Sequence, residues 1–217
     1  MVEELQLTLR AAIPKDIAVA IGTISELQGR LFPSEEELIV FARGKRRREF
    51  IAGRTAARHA LKTLGLPPQA ISMIDRVPVW PPRVVGSISH CDTHAISVAS
   101  FIDSYCAIGV DVESNNVLPA DLTDLICSPS ELKGGFSIES HLGCDLATLL
   151  FSAKESVYKS LPSRYASIEF LDIEIALRLP NRSFSALVDG RRLISGAFLI
   201  LGNVIVTWAF VSFPERR

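Results

Sequence analysis

With 217 residues, 48% of them hydrophobic and 22% charged, the chain can bury a substantial core as one compact domain or two small subdomains. Its 23 basic residues against 24 acidic ones exclude bulk attraction to nucleic acid or a membrane surface, so any charge logic is local. Cys91, Cys106, Cys127 and Cys144 form no CxxC pair, and MVEELQLTLR lacks the basic-then-apolar pattern of a secretory signal; reduced thiols and a cytoplasmic location are expected.

Along the chain, Pro33-Ser34-Glu35-Glu36-Glu37 reads as a helix start, with Ser34 as N-cap and Glu37 closing a capping box, and predicts a short helix to about Ala42. Gly44 interrupts. KRRREFIAGRTAARHALKTLG then predicts a second helix, its apolar Phe50, Ala57, Leu61 and Leu64 at helical spacing until Gly65 and Pro67-Pro68 end it. At 100° per residue Arg47, Arg54 and Arg58 fall within about 40° of one another. They form a basic edge beside the apolar stripe, which taken alone reads as a solvated cationic face.

Beyond Val77 the period changes to two. VVGSISH, HAISVASF and YCAIGVDVE predict strands separated by turn-like residues. Helical signals return at SPSELKGGF and from Asp145 to Leu161. IEFLDIEIALRL, SFSALVD, LISGAFLIL and VIVTWAFV then predict antiparallel strands, joined by turns at Asp189-Gly190 and Gly202-Asn203. Residues 194 to 213 carry no charge and are long enough for a membrane span. Gly202-Asn203 near their middle, with β-branched and aromatic flanks, predicts a buried hairpin instead. Each half therefore offers helix plus antiparallel strands, and element order puts a boundary near residue 106.

In Ala107-Ile108-Gly109-Val110-Asp111-Val112-Glu113 the two carboxylates share one strand face, with Cα atoms about 6.5 to 7 Å apart. Oxygen ligands at that spacing suit Mg²⁺ or Ca²⁺, while an amphipathic strand with an acidic solvent face has the same pattern. Leu146, Leu149, Leu150, Ala153 and Val157 make one helical stripe, and Glu155 points away from it. A solvent-facing Glu155 would pair with Lys159 at i,i+4. Phe151 and Tyr158 flank Glu155 on that opposite face, however, which predicts a helix packed on both sides with Lys154 and Glu155 at the seam. Gly86-Ser87-Ile88-Ser89-His90 is a small-residue strand ending in a histidine, open to close approach by a phosphate or sugar. His59, His94 and His141 have no such surroundings. The absence of GxGxxG and GxxxxGK[ST] removes dinucleotide and P-loop readings.

In this order and at these separations, GKRRREFIAGRTAARHAL, PVWPPRVVGSISH, IGVDVE and FSAKESVYK resemble the 4′-phosphopantetheinyl transferases of the Sfp and enterobactin-synthase type, over roughly residues 44 to 161. The resemblance implies an α+β fold of two similar subdomains, 1–106 and 107–217, each a helix packed on a small antiparallel sheet. They would be related by a pseudo-twofold axis, with coenzyme A in the cleft between them. It implies Asp111, Glu113 and Glu155 as ligands of Mg²⁺, with Mn²⁺ a substitute, and Lys154 on the coenzyme A phosphates. Arg46, Arg54 and His90 would bind the 3′-phosphate or pyrophosphate region, with Arg47 and Arg48 as alternatives to Arg46. Ser87 and Ser89 would border the adenosine, and Arg76 stands nearest the place of an adenine-pocket lysine.

The implied reaction moves 4′-phosphopantetheine from coenzyme A to a serine of an apo acyl, peptidyl or aryl carrier protein and releases 3′,5′-ADP. The base is Glu155 or a metal-bound water, and Glu155 is the one expected. Arg47, Arg58 and the apolar side chains around Phe136 are candidates for docking the carrier, and the layout favours a monomer. Two rival classes remain: a Mg²⁺-dependent phosphohydrolase or nuclease using the same carboxylates, and a module that binds coenzyme A or a carrier without turnover.

Overall fold

Small residues and period-two patterning organise the first part of the chain. The computed structural model describes residues 2–133, 135–162, 165 and 167–212; the side chain of Phe136 lies outside the described set. It divides into two compact units, one over Met1–Ile108 that also takes in Ser212, the other Gly109–Val211. The division falls inside a strand, between Ile108 and Gly109.

In the first unit, α1 (Val2–Ala12), β1 (Ala18–Thr23), α2 (Pro33–Glu37) and α3 (Gly44–Thr63) are followed by β2 (Ser72–Ile74), β3 (Val77–Val79), β4 (Val84–His90) and β5 (His94–Phe101). The main sheet has the order β1-β5-β4, antiparallel throughout, with Ile21 opposite Ile96 and His90 opposite Ala95. Helix α3 lies on it through Ala57, Ala60 and Leu61, which pack with Ala18, Ala20, Val84 and Ala99. The approach is close: a Cβ on Gly53 would stand 2.9 Å from Ile88 Cγ2. Gly65, at φ +78°, ends the helix. β2 and β3 form a separate hairpin whose turn residues Asp75 and Arg76 both take positive φ.

The second unit carries the rest: β6 (Ala107–Ser114), α4 (Ala120–Ile126), α5 (Gly135–Leu142), α6 (Leu146–Lys159), β7 (Ile173–Arg178), β8 (Ser183–Val188), β9 (Arg192–Leu201) and β10 (Val204–Val211). Its sheet runs β6-β10-β9-β8-β7, and β7 through β10 pair antiparallel in sequence order. The turns are at Asp189-Gly190 and Gly202-Asn203, where Asp189, Gly190 and Gly202 have positive φ. Residues 204–210 pair with 195–201, so the apolar stretch is a hairpin, and among the described residues no helix is long and apolar enough to cross a membrane. Helix α6 starts at Asp145, whose side chain accepts from the Thr148 N–H. Its Leu146, Leu149, Leu150, Ala153 and Val157 are all buried against Ile173, Phe198 and Ile205.

The fold is α+β with helices on antiparallel sheets, and it corrects several local expectations. α2 is capped at Phe32, not Ser34, because Pro33 occupies the first helical position; Glu35 rather than Glu37 reaches back, accepting from the Phe32 N–H at 2.9 Å. The helix ends at Glu37. SPSELKGGF is not a helix: Glu131 and Ser128 exchange the bonds of a capping box, but residues 129–133 form turns and α5 begins only at Gly135. In IEFLDIEIALRL a 3-10 turn over Phe170–Asp172 delays the strand to Ile173. The two sheets are unequal, three strands against five.

Candidate active site

Strand alternation turns Gly109, Asp111 and Glu113 to the same side of β6. At Gly109 a Cβ would lie 1.9 Å from the backbone oxygen of Ser156 on α6. Strand and helix therefore meet backbone to backbone, which seats Asp111 beside the last two turns of α6. Asp111 is buried; its Oδ1 accepts from Lys159 Nζ at 2.6 Å and its Oδ2 from Ser152 Oγ at 2.9 Å. Lys159 Nζ also lies 3.5 Å from Glu155 Oε2. One ammonium thus bridges two carboxylates.

Burial pushes the Glu155 carboxyl above its usual range; Lys159 pulls it down, and the Asp111 charge adds to the rise. For Lys159, burial works to lower its pKa, but Asp111 and Glu155 outweigh it and the ammonium is held above its ordinary value. The cation that joins Asp111 to Glu155 marks where a hard cation would find two oxygen donors, so the pair fits Mg²⁺ in ligand type. Glu113 shares the strand face of Asp111, but among the described residues no set of three His, Cys, Asp or Glu side chains is gathered ready to hold a metal ion.

Lys154 stands apart from these. Its side chain is fully buried, and Nζ donates to Ile126 O at 2.7 Å, Glu131 Oε2 at 2.8 Å and Phe170 O at 3.1 Å. An ammonium has three N–H groups, and all three are spent. In place of the phosphate contact expected of it, Lys154 here ties α6 to the loops before α5 and β7. Glu131 completes the knot by accepting from the Ser128 and Ile175 N–H groups. Lys159, expected only as a helical partner of Glu155, is the lysine beside the carboxylates.

In the first unit, Arg47, Arg54 and Arg58 of α3 do not form a solvated face. Glu35, fully buried, accepts from Arg58 Nη1 at 3.1 and 2.9 Å and from the Ile71 N–H at 3.0 Å, with Arg54 Nε 3.9 Å away. Arg47 pairs with Glu36 at 2.7 Å. Arg54 is 4% exposed, stacks over Phe50 with 4.4 Å to the ring centroid, and its Nε and Nη2 are buried without hydrogen-bond partners. Burial lowers its pKa to about 10. Two buried guanidinium groups around one carboxylate leave positive charge uncompensated, a setting that favours an anion.

Arg46 and Arg48 are exposed. Arg46 Nη1 lies 3.2 Å from His90 Nε2; because arginine only donates, Nε2 accepts, and Nδ1 faces Glu49 Oε2 at 3.9 Å. Ser87 and Ser89 are buried and, by strand alternation, point to the opposite side of β4 from His90. Arg76 sits exposed at the β2–β3 hairpin tip.

Residues 34–100 match the 4′-phosphopantetheinyl transferase N-terminal domain, and residues 107–201 match the 4′-phosphopantetheinyl transferase superfamily. The 4′-phosphopantetheinyl transferase PptT of Mycobacterium tuberculosis is 34% identical over 169 residues, 77% of this chain and 74% of that protein. The chain belongs to the 4′-phosphopantetheinyl transferase superfamily. Further relatives of this transferase include 4′-phosphopantetheinyl transferase Npt of Nocardia iowensis, 40% identical over 141 residues that make up 63% of each chain. Enterobactin synthase component D of Escherichia coli is 40% identical over 140 residues, 60% of this chain and 62% of the relative. Arg46, Arg54, Ser87, Ser89 and His90 of this transferase fall in the N-terminal match, and Asp111, Glu113, Lys154, Glu155 and Lys159 in the superfamily match.

Proposed function

We propose that this transferase moves the 4′-phosphopantetheine group of coenzyme A onto a serine hydroxyl of an apo acyl, peptidyl or aryl carrier protein. The observation that carries this reading, beyond family membership, is the Asp111–Lys159–Glu155 bridge, an all-oxygen donor pair already shared by one cation. Asp111, Glu155 and, from the strand face of Asp111, Glu113 would hold Mg²⁺, or Mn²⁺ in its place. When bound, the ion offsets charge on the pyrophosphate oxygens of coenzyme A.

Glu155 takes the proton of the carrier serine. The serine oxygen bonds to the β-phosphorus as the bond to the bridging oxygen breaks, and 3′,5′-ADP leaves. Lys159 supplies the ammonium for the transferring phosphate, in the role first expected of Lys154. The two unpartnered nitrogens of Arg54, with Arg46 and His90, take the 3′-phosphate. Ser87 and Ser89 bear on the adenosine through their strand backbone. None of the four cysteines is in a disulfide, which suits a reducing cytoplasmic setting. The enzyme works as a monomer.

The test is the intact mass of an apo carrier protein incubated with the enzyme, coenzyme A and Mg²⁺, with and without EDTA. A gain of one phosphopantetheine group that EDTA abolishes is the expected result. Hydrolysed coenzyme A beside unmodified carrier overturns the reading in favour of a phosphohydrolase. Coenzyme A bound but intact, with several carrier types unmodified, overturns it in favour of a binding module.

A further inference from the structure

Three serines recur every fourth residue along α6, at 152, 156 and 160, and all three are fully buried. Two bond back onto their own helix: Ser156 Oγ donates to Ala153 O and Ser160 Oγ to Val157 O, the usual local habit of a helical serine. Ser152 behaves differently. Its Oγ donates across to Asp111 Oδ2 at 2.9 Å. On the far side of Ser152 stands Thr207 of β10, also fully buried, whose Oγ1 donates to the Ser152 backbone oxygen at 2.7 Å and lies 3.0 Å from Ser152 Oγ.

Counting protons orders this chain. A hydroxyl has one proton, and an ionised carboxylate only accepts. The Ser152 proton is therefore committed to Asp111, and the Thr207 proton to the Ser152 carbonyl. Thr207 anchors the α6 backbone at Ser152 to the strand beside β6, and Ser152 then holds Oδ2 of Asp111. That leaves Oδ1 as the oxygen aimed at the cation, where Lys159 Nζ now sits at 2.6 Å. Ser152 lies one turn before Glu155 on α6, so the same helix sets both carboxylates.

We propose that Ser152, anchored by Thr207, is a positioning residue that locks the Asp111 carboxylate in the orientation needed to bind a divalent cation; this rests on the metal reading above. Mg²⁺ demands near-ideal octahedral geometry, so a carboxylate free to turn is a poorer ligand. Groups behind a metal ligand typically contribute about 10- to 100-fold in affinity. Neither side chain touches the cation or the substrates, and both act through Asp111.

The experiment titrates the full chain with Mn²⁺ in the presence of coenzyme A, following free Mn²⁺ by electron paramagnetic resonance. It compares wild type, Ser152→Ala, Thr207→Val, Thr207→Ser and an Asp111→Asn control, with thermal unfolding of each protein in EDTA. Ser152→Ala is expected to weaken Mn²⁺ binding about tenfold. Thr207→Val should weaken it less and in the same direction, and Thr207→Ser, which keeps the hydroxyl, should bind like wild type. A merely structural role would lower the unfolding temperature of folded Ser152→Ala and Thr207→Val while leaving Mn²⁺ affinity unchanged, and that result overturns the assignment. If Ser152→Ala does not fold, Thr207→Val against Thr207→Ser decides alone. If wild type binds no Mn²⁺ that Asp111→Asn abolishes, the metal reading itself fails and the positioning role falls with it, a pattern distinct from variants that bind as tightly as wild type.

Discussion

The backbone oxygen of Ser156 occupies the space that a side chain on Gly109 would need, 1.9 Å from the missing Cβ. The conflicting atom is main chain, so no rotamer change relieves it. Gly109→Ala must push β6 away from α6, separating Asp111 from Lys159 and Glu155. We expect a loss of about 3 kcal/mol, the upper end for overpacking, and loss of carrier modification. Urea unfolding and the carrier mass assay check both. A variant with wild-type stability and turnover would show that the strand and helix tolerate a wider spacing.

Lys154 and Lys159 separate structure from function on one helix. Lys154→Met leaves Glu131 charged, buried and without its ammonium, which should cost about 3 to 5 kcal/mol. Lys159→Gln also leaves a buried carboxylate, Asp111, without its ammonium, but Lys159 is a quarter exposed and solvent can take up part of the loss, so it should cost less stability than Lys154→Met. The transfer rate of Lys159→Gln should instead fall roughly 100-fold, the scale of losing one preorganised charge at the reacting phosphate. Unfolding curves beside kcat with saturating coenzyme A distinguish the two. The reverse pattern, a stable but inactive Lys154→Met and an active Lys159→Gln, would return the phosphate role to Lys154.

Arg54 holds Nε and Nη2 buried and without hydrogen-bond partners beside Arg58 and Glu35, and the 3′-phosphate is the group proposed to meet them. Arg54→Gln should therefore raise KM for coenzyme A by about tenfold or more, the worth of a charge-assisted hydrogen bond, and hardly alter KM for 3′-dephospho-coenzyme A. Equal losses on both substrates would place the 3′-phosphate elsewhere.

These predictions draw on features that differ in how far the sequence discloses them. Helices α3 and α6 follow from apolar periodicity, and strands β4 to β6 and β8 to β10 from β-branched runs bounded by turn residues, even where, as in β5 and β10, nearly the whole strand is buried. β1 escapes such reading: AVAIGT is shorter than those two strands and also buried along nearly its whole length, so nothing alternates. The carboxylates of Asp111 and Glu155 are legible as a constellation. The fates of the two lysines are not, since they depend on Glu131, 23 positions from Lys154, and on Asp111, 48 positions from Lys159. Likewise a wheel puts Arg54 and Arg58 on one edge but cannot show Glu35 closing over them from α2. Long-range ionic partners decide whether a charge is solvated, spent or available.

Cys91 gives a pH prediction that the other buried cysteines should not share. Burial alone would raise its thiol, as it does for Cys127 and Cys144, both pushed up to about 11. At the β4–β5 turn, hydrogen bonds from His94 and Thr93 outweigh burial and bring Cys91 from 9.0 down to about 7. The folded protein then releases this proton before the unfolded chain does. Between pH 7 and 9 the unfolded state binds more protons, so stability rises with pH in that window, and below pH 7 the thiol contributes nothing. Cys91→Ser does not titrate there. The stability difference between wild type and Cys91→Ser should grow in favour of wild type by about 2 kcal/mol from pH 7 to pH 9. Urea midpoints at pH 7, 8 and 9 measure it, and parallel curves for the two proteins would mean that the hydrogen bonds at the turn do not hold a thiolate.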